Sequence, residues 1–179
     1  MARRSYQLGK RQASVDQTRE SILRAARDEV VAGAGVSLAR VAEKAGVSRI
    51  TVYNQFGSKA GLLQAIRPPA PPDEPSVAGA RDELRQRISL ACSTWATHSS
   101  LLRHLPRTTE PEESERNRQL AERLAGADAL RPGCSIKEAE DVIGALTSFD
   151  LFDRLYRDGR RSPGAVAEIL MRLASGILI

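Results

Sequence analysis

Between Gly46 and Lys59 the chain carries Arg49, Ile50, Asn54 and Gln55 within seven positions, side chains suited to the edges of DNA bases. The Arg49 guanidinium can donate two parallel hydrogen bonds to guanine O6 and N7. Asn54 or Gln55 can pair with adenine, and Ile50 offers an aliphatic surface to a thymine methyl. Such contacts require an open face on a helix thin enough for the major groove. The spacing supplies one, because Val52 and Phe56 point inward four residues apart and leave Arg49, Ile50, Tyr53 and Asn54 largely outward.

The surrounding residues predict how this helix is held. Leu38, Val41, Ala42 and Ala45 recur at the spacing of one helical face, with Ser37 placed to cap that helix. Gly46 ends it, since glycine accepts the left-handed conformation that follows a helix C-terminus. Val47 fills the corner and Ser48 caps the next helix. Upstream, a first helix from about Asp16 to Val31 has the stripe Ile22, Leu23, Ala26 and Val30, and Gly33-Ala34-Gly35 ends it. Downstream, Ser58 caps a fourth helix with Leu62, Leu63 and Ile66 packing back. Helices two and three form a helix-turn-helix, a motif whose second helix enters the major groove.

In the segment from Thr18 to Ile66 the chain resembles the TetR family of transcriptional repressors. That family pattern has Ile-Leu and paired Ala in helix one, a small-residue turn, then Gly-Val-Ser-x-x-Thr-(Leu/Val)-Tyr-x-His-Phe-x-Ser-Lys. Ile22-Leu23, Ala25-Ala26, Gly33, Gly35, Val41-Ala42, Gly46 through Tyr53, Phe56, Ser58, Lys59 and Leu62-Leu63 match it. Gln55 stands where histidine is usual, and Ala60-Gly61 replaces an acidic pair. The resemblance implies phosphate contacts by Tyr53 and Lys59, and by Thr51 and the Ser37 end of helix two through hydroxyls and helix N-terminal amides. Ser48 completes the expected DNA-binding set. The resemblance also implies repression, a homodimer on a palindromic operator, and an unknown small-molecule effector that releases it.

Charge follows the same division. The chain totals +5, yet residues 1–67 hold 12 basic and 5 acidic side chains, a net +7, which leaves −2 for the remainder. Phosphate binding favours such concentration, because each neutralised phosphate releases counterions. With 41% hydrophobic and 27% charged residues the chain should fold into one or two compact cores. No apolar run approaches the roughly 18 residues of a membrane span, and the Met-Ala-Arg-Arg start lacks a signal peptide's apolar stretch. A cytoplasmic protein is expected, with Cys92 and Cys134 as reduced thiols.

The whole reads as all-α. Residues 1–67 form a helix-turn-helix DNA-binding domain with a basic N-terminal arm, residues 68–75 a proline-rich linker, and residues 76–179 an antiparallel helical bundle for ligand binding and dimerisation. Leu84, Ile88, Ala91, Cys92 and Trp95 line a fifth helix; Leu101, Leu102 and Leu105 mark a short sixth before Pro106. Thr108 to Ser114 reads as an acidic loop, and Leu120, Ala121, Leu124 and Ala127 mark a seventh helix. An eighth runs from the capping box Ser135-x-x-Glu138 to Tyr156, and a ninth opens at Ser162-Pro163. The last two hold more apolar surface than one core requires, so they are the expected dimer helices.

Trp95, Phe149 and Phe152 are the expected wall of an effector cavity, with His98 or His104 as a polar partner. In many proteins of the family helix four is a lever between the two domains. Pro68 cuts it short here, which implies either a modest ligand sensor or a constitutive DNA binder. Neither a cofactor nor a metal is called for. No nucleophile, base and stabilising group come together in sequence, and no phosphate-binding glycine loop is present, so catalysis is not expected.

Overall fold

The computed structural model describes residues 2–33, 35–68, 79–107 and 111–179, with side chains described from residue 13 onward except that of Pro111. Ala34, residues 69–75 of the expected linker and residues 108–110 of the expected acidic loop lie outside the described residues. The helices are α1 (Ala2–Val31), α2 (Leu38–Ala45), α3 (Arg49–Phe56), α4 (Lys59–Ile66), α5 (Ala80–Leu102), α6 (Pro111–Gly126), α7 (Ile136–Leu146), α8 (Phe149–Asp153) and α9 (Pro163–Ala174), with a π-helical turn at Arg154–Asp158 after α8. The fold is all-α, with one isolated antiparallel bridge, Leu130 to Leu178, among the described residues. The chain divides into two compact units, the first Met1–Arg67 with Ser100–Leu105, the second Pro68–Ser99 with Pro106–Ile179.

In the first unit Ile22, Leu23, Ala25, Ala26 and Val30 of α1 meet Val36, Val41 and Ala42 around α2, Val52 of α3, and Leu62 and Ile66 of α4. Leu101 and Leu105 complete that core. Local chemistry fixes the turn between α2 and α3. Gly46 has φ 68°, its N–H donates to the Glu43 carbonyl at 3.1 Å, and the Val47 N–H reaches the Ala42 carbonyl at 3.0 Å. This is a Schellman closure, which satisfies α2's last carbonyls and turns the chain sharply. Serine hydroxyls accept from Thr51 N at the start of α3, Gly61 N at α4, Glu138 N at α7 and Ala165 N at α9, each a cap worth about 1 kcal/mol. Ser37 has the extended cap backbone but makes no side-chain cap bond, contrary to the expected cap.

Gly61 has a steric reason. A Cβ there would run into the Phe56 carbonyl oxygen, so the tight α3 to α4 junction excludes a side chain at the position where the sequence departs from the family pattern.

A carboxylate holds α2 against α1. Glu29, 4% exposed, accepts from Arg40 Nε and Lys44 Nζ, both at 2.6 Å, and Arg40 also donates to the Gly35 carbonyl at 2.7 Å. The Lys44 ammonium, then the Arg40 guanidinium, pull the Glu29 pKa below its ordinary 4.5.

In the second unit α5, α6, α7, α8 and α9 enclose Leu84, Ile88, Cys92, Leu120, Leu124, Ile143, Phe152, Val166 and Leu170. Buried Glu83 of α5 accepts from Arg123 of α6, and the Arg87 guanidinium donates to Asn117 at 2.6 Å. The chain near its end is tied down by Arg131 N to Ile177 O at 2.8 Å and Ile179 N to Ala129 O at 3.0 Å.

Four expectations about helices are corrected. Helix α1 begins at Ala2, not near Asp16; residues 2–15 contain no proline to stop it. The expected short sixth helix is the end of α5. The hydroxyls of Ser89, Ser93 and Thr97 donate to carbonyls four residues back, so they stay within the helix instead of capping a new one. The expected loop up to Ser114 is already helical from Pro111, with Glu112 and Glu113 in its first turn, where negative charge suits the helix dipole. The expected eighth helix is broken: Thr147 Oγ1 donates to Ile143 O at 2.8 Å and Ser148 Oγ to Ala145 O at 2.8 Å, and Ser148 turns extended with ψ 140°.

The depressed Glu29 pKa gives the clamp a definite pH dependence. Its stabilisation is complete above the ordinary carboxylate range and fades as pH falls through the folded-state value, below about 4.5. Glu29→Gln should lower the melting temperature by several degrees at pH 7, and thermal unfolding monitored by circular dichroism should show that difference shrinking as pH drops below about 4.5.

Candidate nucleic-acid interface

Helix α3 is eight residues long and buries one of them fully, Val52 at 1% exposure. The opposite side is open: Ile50 is 72% and Tyr53 61% exposed, and Arg49 and Asn54 are exposed beside them. An aliphatic side chain as bare as Ile50 gains nothing from its own fold. Gln55 and Thr51 are half-buried on the flanks, and Lys59 is exposed at the start of α4.

The Ser48 hydroxyl accepts from Thr51 N at 3.1 Å and lies 2.9 Å from Thr51 Oγ1. One hydroxyl proton is used within that pair and the other remains to donate outward, a geometry that suits a phosphate oxygen. Ser37 is half-buried at the start of α2, with its hydroxyl not engaged in capping. Arg49, Ile50, Tyr53 and Asn54 thus share one exposed helical face. Ser48, Thr51 and Lys59 stand at helix N-termini around it.

Two features were missed in the sequence. The Arg19 guanidinium of α1 lies over the Phe56 ring, 4.7 Å from its centroid, a cation–π contact that braces the end of α3. Only an Arg on an otherwise apolar register of α1 hinted at it. Arg40 and Lys44, counted above with the cations suited to phosphate, are engaged by Glu29.

In the second unit the structure brings Trp95, Phe149 and Phe152 together. Trp95 lies 6.3 Å from Phe149 and 5.4 Å from Phe152, centroid to centroid, and Phe149 is 6.2 Å from Phe152. Tyr156 joins them, stacked on Phe152 at 5.0 Å and 17°; the four-residue spacing from Phe152 was its signal. Phe152 is fully buried. His98 is half-buried on α5, and His104 is exposed in the turn after α5 within the first unit.

Both cysteines are free thiols. Burial pushes Cys92 up to about 11, and burial followed by the nearby Glu138 carboxylate raises Cys134, so neither is a ready nucleophile. Among the described residues no group of three or more His, Cys, Asp or Glu could hold a metal, and no helix is long and apolar enough to cross a membrane.

Compared with known proteins, residues 22–66 match the model of the bacterial regulatory proteins of the tetR family. No curated protein sequence matches the chain. Among solved structures the chain is similar to NalD of Pseudomonas aeruginosa, the secondary repressor of the MexAB-OprM multidrug efflux pump. The two are 25% identical with a TM-score of 0.73, covering 93% of this chain and 98% of NalD. It is also similar in fold to TylP, a tetR regulator of Streptomyces fradiae, at 19% identity, TM-score 0.64 and coverage of 92% and 88%. A TetR-like transcriptional regulator of Rhodococcus sp. RHA1 gives 20% identity, TM-score 0.58 and coverage of 88% and 93%. The turn chemistry, the uncovered face of α3 and the match over residues 22–66 converge: these residues form a helix-turn-helix of the kind found in the tetR family of bacterial regulatory proteins, and the chain shares its fold with the repressor NalD.

Proposed function

We propose that this chain is a DNA-binding transcriptional regulator of the tetR family, a repressor which binds a palindromic operator as a homodimer and is released by a small-molecule effector. The observation that carries the DNA-binding part is the exposure of Ile50 and Tyr53, 72% and 61%, on a helix whose opposite side is closed by Val52. In this reading Arg49, Ile50, Asn54 and Gln55 contact bases, and Ser37, Ser48, Thr51, Tyr53 and Lys59 contact phosphates. Residues 1–67 are the reading head, 68–75 the linker, and 76–179 the effector-binding and dimerising part.

Dimerisation matches the physics of recognition, since one short helix reads too few base pairs and a twofold pair selects half-sites about 34–36 Å apart or a multiple. The residues from Ser135 to Tyr156 and from Ser162 to Ile177 are the proposed contact. Much of their apolar set is used internally, including Ile143, Leu146, Val166 and Leu170. Leu173 at 52% and Ile136 at 43% exposure remain for a partner. Trp95, Phe149 and Phe152 are the proposed effector wall, with Tyr156 added by its stacking on Phe152. NalD represses a multidrug efflux pump, and an aromatic cluster here is consistent with an effector that is apolar and has a planar ring.

Selection of bound fragments from a random DNA pool should return an inverted repeat; fragments without twofold symmetry would refute the homodimeric reading. Lys59→Ala should weaken binding to all sequences and reduce the salt slope by about one unit, measured by fluorescence anisotropy across a salt series. Arg49→Ala should instead relax preference at one base pair per half-site, and equal losses on cognate and random DNA would remove its reading role. Ile50→Ala should leave stability within about 0.5 kcal/mol in denaturant titration while reducing discrimination for the selected site.

A further inference from the structure

Helix α1 runs unbroken from Ala2 to Val31, and among its residues 13–31, whose side chains are described, the first fully buried one is Ile22. Residues 13–17 are all exposed, Val15 among them at 48%. Those five residues have no packed face, and a helical stretch of that kind is marginal in water by itself. It can be propagated from the folded part of α1, and a partner lying along it would stabilise it further.

The sequence indicates the chemistry of that partner. Residues 2–12 contain Arg3, Arg4, Lys10 and Arg11 and no acidic residue. Positions 3 and 10, like 4 and 11, are seven apart, which is close to two helical turns. On a helical backbone they form two adjoining rows about 100° apart, so the four positions share a sector of about 120°. The segment also starts in the right place: Arg19 lies over Phe56, the last residue of α3 and three positions before Lys59. Seventeen residues at 1.5 Å each carry the helix about 26 Å beyond that point, or roughly 7 base pairs of duplex at 3.4 Å each.

We infer that residues 2–18 are a second DNA-contacting element, a helical strut whose one basic face lies on phosphates flanking the half-site read by α3. This rests on the DNA-binding reading above and adds to it. The strut lengthens the site and raises affinity without reading bases, because contacts to phosphate carry position and charge but no direct sequence information.

The test uses the full chain in three forms: unsubstituted, Arg3→Ala/Arg4→Ala/Lys10→Ala/Arg11→Ala, and Leu8→Pro. The fourfold variant should keep the same preferred half-site, lose about 3 to 4 units of salt slope per chain, and show hydroxyl-radical protection shortened by roughly 7 base pairs on each flank. Leu8→Pro keeps every cation but interrupts the helix, and it too should shorten the protection. An unchanged slope and footprint in the fourfold variant would overturn the strut. So would a full-length footprint with Leu8→Pro, because a charged tail of any shape would then suffice. Absence of any sequence-specific binding by the unsubstituted protein would overturn the DNA-binding reading itself, and the strut with it.

Discussion

The fold of the first unit depends on one constraint: α3 must keep half its surface uncovered and still hold its position. Eight residues are too few for a stable isolated helix, and only Val52 of α3 is fully buried. Its attachment therefore comes from its ends and neighbours. The Schellman closure at Gly46 sets its entry, Ser48 caps its first turn, Phe56 sits under Arg19 at its last, and Gly61 lets α4 approach the Phe56 carbonyl. Each contact lies on the inner side or at a terminus, which leaves Arg49, Ile50, Tyr53 and Asn54 unencumbered. A larger hydrophobic face on α3 would fix the helix more firmly and remove the surface it presents.

What the sequence made legible follows from how local each signal is. Caps and glycine turns act over four or five residues, so the boundaries of α2, α3 and α4 could be read directly, as could the inward pair Val52 and Phe56. The failures lie where competing local options are close in energy. Thr147 and Ser148 can sit inside a helix or turn their hydroxyls back on its carbonyls, and nothing in their neighbours decides between these states. The run from Ser89 to Thr97 holds the same residue types with the opposite outcome. Tertiary pairings lie beyond the reach of any turn rule: Glu29 and Arg40 are eleven residues apart, and Arg19 over Phe56 left no trace but an Arg on the apolar register of α1.

Charge counting illustrates the same limit. The first third of the chain is strongly basic in sum, but Glu29 engages Arg40 and Lys44 with short contacts. Two cations that a composition argument assigns to phosphate thus serve to orient α2. The opposite holds at Lys59 and Arg49, which stand exposed around the face of α3. In the second unit the buried Glu83 and Asn117 have a guanidinium each, from Arg123 and Arg87. A buried carboxylate is tolerable in such a core only with a partner of this kind.

Trp95 is the sole tryptophan of the chain, and it lies within the ring cluster of the second unit, while Tyr53 is on the open face of α3 in the first. Nature has thereby installed an intrinsic fluorophore in one part of the molecule and left the other without indole. Emission excited at the red edge of protein absorption reports on the surroundings of α5 and α8 alone. Indole emission in unlabelled material accordingly follows events among the rings, with no indole on the open face of α3 to contribute.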